Sequence, residues 1–397
     1  MLRHRGTWKS RVAAGAAAGT LVLLSACGGE GGDSDDDPIT IGFVATLSGP
    51  SASIGEVYRQ AAELWLEDNP TIDGREVEII FKDDEGTAEG GVAAVRSLVD
   101  REEADVVSGP FLSTSTSSVL PVLTQAEVFS VNMSSLPDAG NAETSPYSVQ
   151  IEFQKRLEAP GTINAVAASG GTKLGMLVVD GPLGQTTVDT INAASEDGDG
   201  EVEIVGTETF QSGATDVTAQ LRKLDAAGAD ALVIQAVGVP DYAVALKGVD
   251  ELGMDAMVFG NSALAQPGLA ESVPEELLSR TRASGFTESV LGGSLTSEIE
   301  DFRSRLVETS NQDQLGYFLY LAATSYDSLG IIKAGIEGAG STDAPAIIDS
   351  LVEGGFDGLR TTYEFGADDH LGLTEEDVAW GIGGTFENGV VEGDPSL

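Results

Sequence analysis

Short β-rich runs alternate with helical patterns from Ile39 onward, and this alternation restricts the possible folds more than any other feature of the chain. The first run spans Thr40 to Thr46. In the stretch that follows, Tyr58, Ala62 and Trp65 recur at the spacing that places apolar side chains on one face of a helix. Alternating strands and helices are typical of βαβ units around a parallel sheet. We therefore predict an α/β protein.

The same alternation begins again in the second half of the chain. Leu174 to Val179 and Ala231 to Ile234 are continuous apolar runs, which favour strands that helices cover on both faces. Between them, Val217, Leu221 and Leu224 form a helical stripe. A chain of 397 residues also exceeds what one hydrophobic core normally supports. We therefore predict two similar Rossmann-like lobes, each built on a parallel sheet.

The N-terminal segment has the order of features that is typical of a secretory signal peptide. Basic residues precede an apolar run from Val12 to Leu24, which is shorter than the ~20 residues of a membrane-spanning helix. Leu24-Ser25-Ala26-Cys27 then resembles the lipobox of bacterial lipoproteins. That resemblance implies removal of residues 1–26 and acylation of Cys27, which would anchor the protein at the outer face of the cell membrane. An ordinary secretory signal followed by a free thiol is the alternative.

The charge of the chain excludes one large class of partners. The sequence carries 21 Lys and Arg against 64 Asp and Glu, and its formal net charge is −43. Such a surface cannot neutralise phosphates, so nucleic acid is not a predicted partner. It also repels anionic lipid headgroups, so membrane contact is expected through the lipid anchor on Cys27. Residues 27–38 are predicted to be a flexible acidic linker, with a cation site at Asp35 to Asp37 as the alternative.

Few of the side chains that catalytic centres require are present. The chain has one cysteine and two histidines, and His370 lies in a glycine-flanked segment that we interpret as a surface turn. Zinc sites and Cys-His or Ser-His-Asp machinery are therefore poorly supported. No phosphate-binding glycine motif follows a predicted strand. Asp83-Asp84-Glu85 is assigned to a turn, with a metal or paired-carboxylate site as the alternative. We predict no cofactor, no metal site and no enzymatic activity.

One turn after a predicted strand has the composition of an anion site. In open parallel sheets, ligands bind beyond the carboxyl ends of the strands. Val106-Val107 is followed by the turn Ser108 to Leu112 and then by a run of hydroxyl residues, Ser113 to Ser118. This run is predicted to open a helix, whose free amides and positive dipole end attract an anion such as a carboxylate. The alternative is that the hydroxyl groups only compete for the N-cap of the helix.

Several segments of the chain together carry a resemblance to a known family: Ile41 to Val44, Leu47 to Pro50, Asp83 to Gly86, Ser108 to Pro110, Phe210 to Asp216, Leu221 to Asp230 and Tyr317 to Ile332. With these segments in this order, the chain from about Ile39 to Glu392 resembles the substrate-binding proteins of branched-chain amino acid ABC transporters, which have the type I periplasmic-binding-protein fold. The resemblance implies two lobes joined by a three-crossover hinge that closes around a ligand. It places lobe 1 at 39–155 plus 287–358 and lobe 2 at 156–286 plus 359–397. The expected crossovers are Glu152 to Pro160, Ser284 to Glu288 and Phe356 to Thr361.

The resemblance also implies a set of ligand-binding residues. The carboxylate of the ligand is expected at Ser113 with its neighbour Thr114, together with Ser134 or Ser135, between which the sequence does not decide. The remaining walls depart from the family pattern. Ile54, Leu183 and Gly238, the last directly after Val237, are expected on the walls where the family has aromatic side chains. Ser262 is expected where the family has the acid that pairs an α-ammonium.

Because Ser262 stands where the family has an acid, the class of ligand stays open. A buried α-ammonium without a carboxylate is costly, so the sequence favours an amino acid and a less cationic carboxylate or amide about equally. Asp180 or Asp241 could supply the missing charge, although capping or surface roles are the alternative for both. The predicted function is capture of a small solute for an ABC transporter permease. Two other hypotheses are a sensory receptor of the same fold and a secreted enzyme.

Overall fold

The computed structural model describes residues 37–49, 51–137, 139–197, 200–286, 290–291, 296–309, 319–386, 390–394 and 397. The predicted signal peptide, Cys27 and nearly all of the 27–38 linker lie outside these residues, as does part of the expected second crossover. Within the described ranges, no helix has both the length and the apolar character required to cross a membrane.

Strands and helices alternate along most of the chain, as the sequence pattern predicts. The strands are β1 (Ile39–Ala45), β2 (Thr71–Ile72), β3 (Arg75–Asp83), β4 (Val106–Ser108), β5 (Phe129–Asn132), β6 (Ser148–Gln150), β7 (Lys173–Val179), β8 (Glu203–Phe210), β9 (Ala231–Gln235), β10 (Met257–Gly260), β11 (Thr281–Phe286), β12 (Val290–Leu291), β13 (Phe356–Asp357), β14 (Thr362–Tyr363), β15 (Val378–Ile382) and β16 (Val391–Glu392). The helices are α1 (Ala52–Asp68), α2 (Ala88–Asp100), α3 (Ser113–Ala126), α4 (Lys155–Ala168), α5 (Pro182–Asp197), α6 (Thr218–Ala226), α7 (Val239–Leu252), α8 (Pro267–Ala270), α9 (Glu275–Leu278), α10 (Ser297–Thr309), α11 (Leu319–Ala339) and α12 (Ala344–Gly354).

The first sheet has six strands in the order β2-β3-β1-β4-β5-β6, and all pairs are parallel except β2 with β3. Alternate residues of β1 are buried on opposite faces. Phe43 packs into the core that α1, α11 and α12 cover, whereas Val44 packs against α2 and α3. Gly42 lets α2 approach closely, since a Cβ there would lie 2.7 Å from the Leu98 side chain. Burial on both faces explains why β1 is an almost uninterrupted apolar run.

The second sheet has the order β15-β11-β10-β9-β7-β8; β15 runs antiparallel to β11, and the other described pairs are parallel. Its two faces are also both covered: Leu177 and Ile234 lie in one core, and Met176 and Val233 lie in the other. The predicted fold class, two mostly parallel α/β sheets with helices, is therefore confirmed.

Two segments, α4 and residues 359–373, have contacts that help to locate the crossovers between the two sheets. Leu157 of α4 packs in the core of the first sheet and Ile163 in a core of the second, so α4 contacts both; the first crossover at Glu152 to Pro160 stays a prediction. Residues 359–373 were expected in lobe 2, yet Tyr363, Phe365 and Leu371 pack in the core of the first sheet. We therefore propose that the third crossover lies between this segment and β15. The expected position was different because local sequence patterns do not show which core a glycine-rich segment will join. The division into lobes otherwise stays a prediction.

His370 differs from its interpretation as a surface residue. It is only 3 % exposed, and its Nδ1 lies 3.0 Å from the carbonyl oxygen of Ser148 in β6. The chain next to it runs alongside β6, where Leu371 forms a bridge with Gln150. The sequence could not indicate this burial, since the two segments are more than 200 positions apart.

Candidate functional site

A cleft of about 740 Å³ lies where the loops that follow strands of both sheets meet. Its size is in the range of small-molecule binding sites. Six of its lining residues each follow a different strand, which agrees with the rule that parallel sheets place their sites beyond the carboxyl ends of strands. These residues are Ser113 after β4, Ser135 after β5, Glu152 after β6, Leu183 after β7, Val237 after β9 and Ser262 after β10.

The amino end of α3 forms part of the wall from the first sheet. The helix begins at Ser113, and its N-cap residue, Leu112, offers no side-chain hydrogen bond to the first amides. Gly109 in the preceding turn has a φ of 93°, and a Cβ there would lie 2.2 Å from the Val44 carbonyl oxygen. This close turn starts α3 directly beyond β4. The first amides of a helix have no intrahelical acceptor, so they are available to an anion.

The hydroxyl residues at the start of α3 have different roles. Ser115 is buried and donates to the Thr87 carbonyl oxygen (3.0 Å), and Thr116 is buried and donates to that of Leu112 (3.0 Å). Thr114 is exposed and is not part of the cleft lining, whereas Ser113 is half-buried and does line it. The structure thus brings Ser113, but not the Thr114 side chain, to the cleft.

The choice between the two serines after β5 has a geometric answer. Ser135 lines the cleft. Ser134 is fully buried, its amide donates to Asn132 Oδ1 (2.8 Å), and its carbonyl oxygen accepts from Gln150 Nε2 (2.7 Å). Ser134 therefore holds the loop in place, and Ser135 is the serine that faces the cleft.

Three large apolar side chains are exposed within the described part of the chain: Ile54 (37 %), Leu183 (40 %) and Val237 (62 %). Leu183 and Val237 line the cleft, as does Ser262. Ile54 and Gly238 do not, so these two expected wall residues lie outside the lining in this structure. Exposed apolar side chains at a cleft mark a surface that a ligand can cover.

Neither aspartate that was considered as a replacement acid lines the cleft. Asp241 is buried and accepts from Ser212 Oγ (2.8 Å) and from the Gly213 amide (2.8 Å), so it fastens a loop. Asp180 accepts from Gln211 Nε2 (2.7 Å). Asp180 is thus an exposed surface residue, whereas Asp241 is buried and holds the loop at Ser212 and Gly213.

Ionisable side chains of the segment that follows β6 line the cleft, and no sequence motif predicted them as site residues. Glu152 and Lys155 are half-buried, Arg156 is exposed and Glu158 is buried. Lys155 forms an ion pair with Glu158, and Arg156 forms one with Asp369 (2.7 Å). In the sequence, these residues form a cluster of charges directly after β6, and this cluster could have indicated that they line the site.

Beneath these residues, Arg360 joins three segments of the chain. It is buried, and its Nη1 donates to the Ile151 carbonyl oxygen (3.1 Å) and to Thr324 Oγ1 of α11 (2.7 Å). Its guanidinium carbon lies 5.8 Å from the centre of the ring of Tyr320, which lines the cleft. These contacts fix the backbone next to Glu152.

Asp327 of α11 holds the segment that contains Arg360 in place. It is buried, and it accepts hydrogen bonds from the amides of Leu359 (2.7 Å) and Arg360 (3.0 Å) and from the Tyr363 hydroxyl (2.9 Å). Burial raises the pKa of Asp327 to about 6, although these donors and the charge of Arg360 oppose the change.

Comparisons with known proteins agree with this architecture. A family profile described as periplasmic binding protein matches residues 38–377. The Leu/Ile/Val-binding protein homolog 3 of Brucella melitensis biotype 1 is 24 % identical over 325 residues, which cover 80 % of this chain and 83 % of that protein.

Two solved structures illustrate the similarity of fold. An ABC transporter substrate-binding protein from Sphaerobacter thermophilus is 20 % identical, with a TM-score of 0.74 over 89 % of this chain and 97 % of its own. A solute-binding protein of an ABC transporter from Rhodopseudomonas palustris HaA2, in complex with p-hydroxybenzoic acid, is 18 % identical, with a TM-score of 0.72 over 91 % of this chain and 99 % of its own. The resemblance inferred from the sequence is therefore confirmed.

Proposed function

Because the chain belongs to the periplasmic binding protein family, we propose that it captures a small solute bearing a carboxylate in the cleft and delivers it to an ABC transporter permease. Members of this family are substrate-binding proteins that work outside the cytoplasm. Tethering through a lipid on Cys27, at the outer face of the cell membrane, is part of the same proposal. The solute is bound and released without chemical change.

The observation that carries the proposal is the uncapped amino end of α3 on the wall of the cleft. A helix amino end bears about half a positive charge, and its free amides point along the axis toward an anion. Ser113 adds a hydroxyl group at this point, and Ser135 adds another from the neighbouring strand end. Together these groups can hold a carboxylate without any cationic side chain.

The names of the relatives support a carboxylate as the common feature of the ligand. One relative is named for leucine, isoleucine and valine, and one neighbour is solved with p-hydroxybenzoic acid. These ligands differ in shape and in amino group, but each has one carboxylate. The apolar side chains of Leu183 and Val237 suit the remainder of such a molecule, since contact with it would remove exposed apolar surface from water.

A thermal melting screen tests this function. The protein is unfolded and refolded to remove bound solute, and is then melted with amino acids, aromatic acids, short carboxylates, urea and simple amides. A solute present at ~100 times its Kd stabilises the folded state by about 2.7 kcal/mol, so the melting temperature should rise by several degrees.

The same samples provide the control for chemistry. After long incubation, chromatography should recover every stabilising solute unchanged. If no carboxylate raised the melting temperature, or if the stabilising compounds were consumed, the proposed function would be wrong.

A further inference from the structure

The charges that line the cleft are unequally compensated. Lys155 and Glu158 neutralise each other, and the guanidinium of Arg156 is paired with Asp369. Glu152 lines the same cleft, yet among the residues that the structure describes no cation lies within ion-pair distance of its carboxylate. The cleft thus presents one carboxylate whose charge is not cancelled by direct contact.

The surroundings of Glu152 make this charge costly. The residue is half-buried, and Oε1 accepts one hydrogen bond, from the Phe153 amide (2.8 Å). Burial raises the pKa of Glu152, while Arg360 and the Phe153 amide act in the opposite direction. The donors of Arg360 Nη1 are directed to the Ile151 carbonyl and Thr324 instead.

Binding of a solute increases the free-energy cost of a charged Glu152, because a ligand that fills the cleft excludes solvent from the exposed part of this side chain. Removing one partner of a buried charge pair typically costs several kcal/mol, since the remaining charge is left without compensation. A cationic nitrogen on the solute would provide that compensation. A ligand without one would leave Glu152 desolvated, or would require it to take up a proton.

We propose that Glu152 is the counter-charge for a cationic nitrogen of the solute, so that the ligand is a carboxylate that also carries an ammonium or a similar group. This inference rests on the function proposed above. Glu152 reaches the cleft from the segment after β6, whereas Ser262, after β10, lines it with a neutral hydroxyl group. Glu152 acts here as a specificity-determining residue that contacts the solute.

The test compares probes that differ by one ammonium group. Suitable pairs are leucine with 4-methylpentanoate, phenylalanine with 3-phenylpropionate and 4-aminobutyrate with butyrate. Their affinities are measured by calorimetry for the refolded wild type and for Glu152→Gln. Asp180→Asn is the matched control, because it removes one carboxylate near the cleft that does not line it.

In the wild type, we expect an ammonium-bearing probe to bind at least about 30-fold more tightly than its deaminated partner, as for a compensated charge pair. Glu152→Gln should remove most of this difference, whereas Asp180→Asn should preserve it. The melting temperature of ligand-free Glu152→Gln should stay equal to that of the wild type or rise, since the variant no longer desolvates a charge. A purely structural role for Glu152 would instead lower it.

Three results would overturn the assignment: equal binding of both members of each pair to the wild type, unchanged discrimination in Glu152→Gln, or no binding of any ammonium-bearing probe. If carboxylates without a cationic group still raise the melting temperature, the proposed function stands and only the role of Glu152 falls. If no solute of any kind binds, both fall.

Discussion

Replacing Ser113 by aspartate is expected to abolish solute binding and, at the same time, to raise the melting temperature of the ligand-free protein. Ser113 is the first residue of α3, whose amino end has no side-chain cap. A carboxylate in the first turn of a helix stabilises it by about 0.3–1 kcal/mol, which corresponds to a rise of about 1–4 °C. The same carboxylate would occupy the anion site and repel the solute, so affinity should fall by at least about 100-fold.

The matched control is Ser117→Asp, which adds the same charge one turn further along α3 at an exposed position whose hydroxyl donates to the Thr114 carbonyl. Its solute affinity should remain within a few-fold of the wild type. Calorimetry and thermal melting on all three proteins measure both effects. Undiminished affinity in Ser113→Asp would show that the solute carboxylate is bound elsewhere, and a lower melting temperature would show that Ser113 serves the helix rather than the ligand.

The largest loss of stability is expected from Asp327→Ala. The amides of Leu359 and Arg360 and the hydroxyl of Tyr363 would lose the hydrogen bonds that they donate to this carboxylate. Each lost buried hydrogen bond costs about 1–3 kcal/mol, so the free energy of unfolding should fall by about 3 kcal/mol at pH 7. Asp349→Ala on the exposed face of α12 is the control, with an expected change within about 0.5 kcal/mol.

The pH dependence of this loss has a definite sign. The pKa of Asp327 is raised to about 6 in the folded protein, whereas an unfolded aspartate has a pKa of about 4. The folded state therefore holds this proton more tightly. The contribution of Asp327 to stability is largest below about pH 4 and declines as the pH rises through 6. The difference between wild type and Asp327→Ala in urea unfolding should be wider at about pH 4.5 than at pH 7, and a difference that widens toward pH 7 would contradict the raised pKa.

The sequence predicted the parts of this fold that depend on local patterns. Continuous apolar runs marked β7 and β9, and the spacing of Tyr58, Ala62 and Trp65 marked α1. Four of the eight predicted ligand-binding residues, Ser113, Ser135, Leu183 and Ser262, line the cleft, and each of them follows a strand end. Their roles in binding stay predictions.

The features that local patterns missed depend on contacts between distant parts of the chain. The bond from Arg360 to the Ile151 carbonyl spans 209 positions, so no window of sequence could reveal that the segment next to Glu152 is held in place. Ile54 was expected at the cleft because the family resemblance implies a wall residue after the segment Leu47 to Pro50, yet it does not line the cleft. Whether such a residue reaches the cleft depends on how its helix is oriented, which tertiary packing decides.

A crystal structure of the protein with the solute that gives the largest rise in melting temperature would test the proposed anion site most directly. We expect the solute carboxylate to lie about 3 Å from the first amides of α3 and from the Ser113 hydroxyl, inside the cleft. A solute bound outside the cleft, or bound within it with no anionic group at the amino end of α3, would contradict the proposed site.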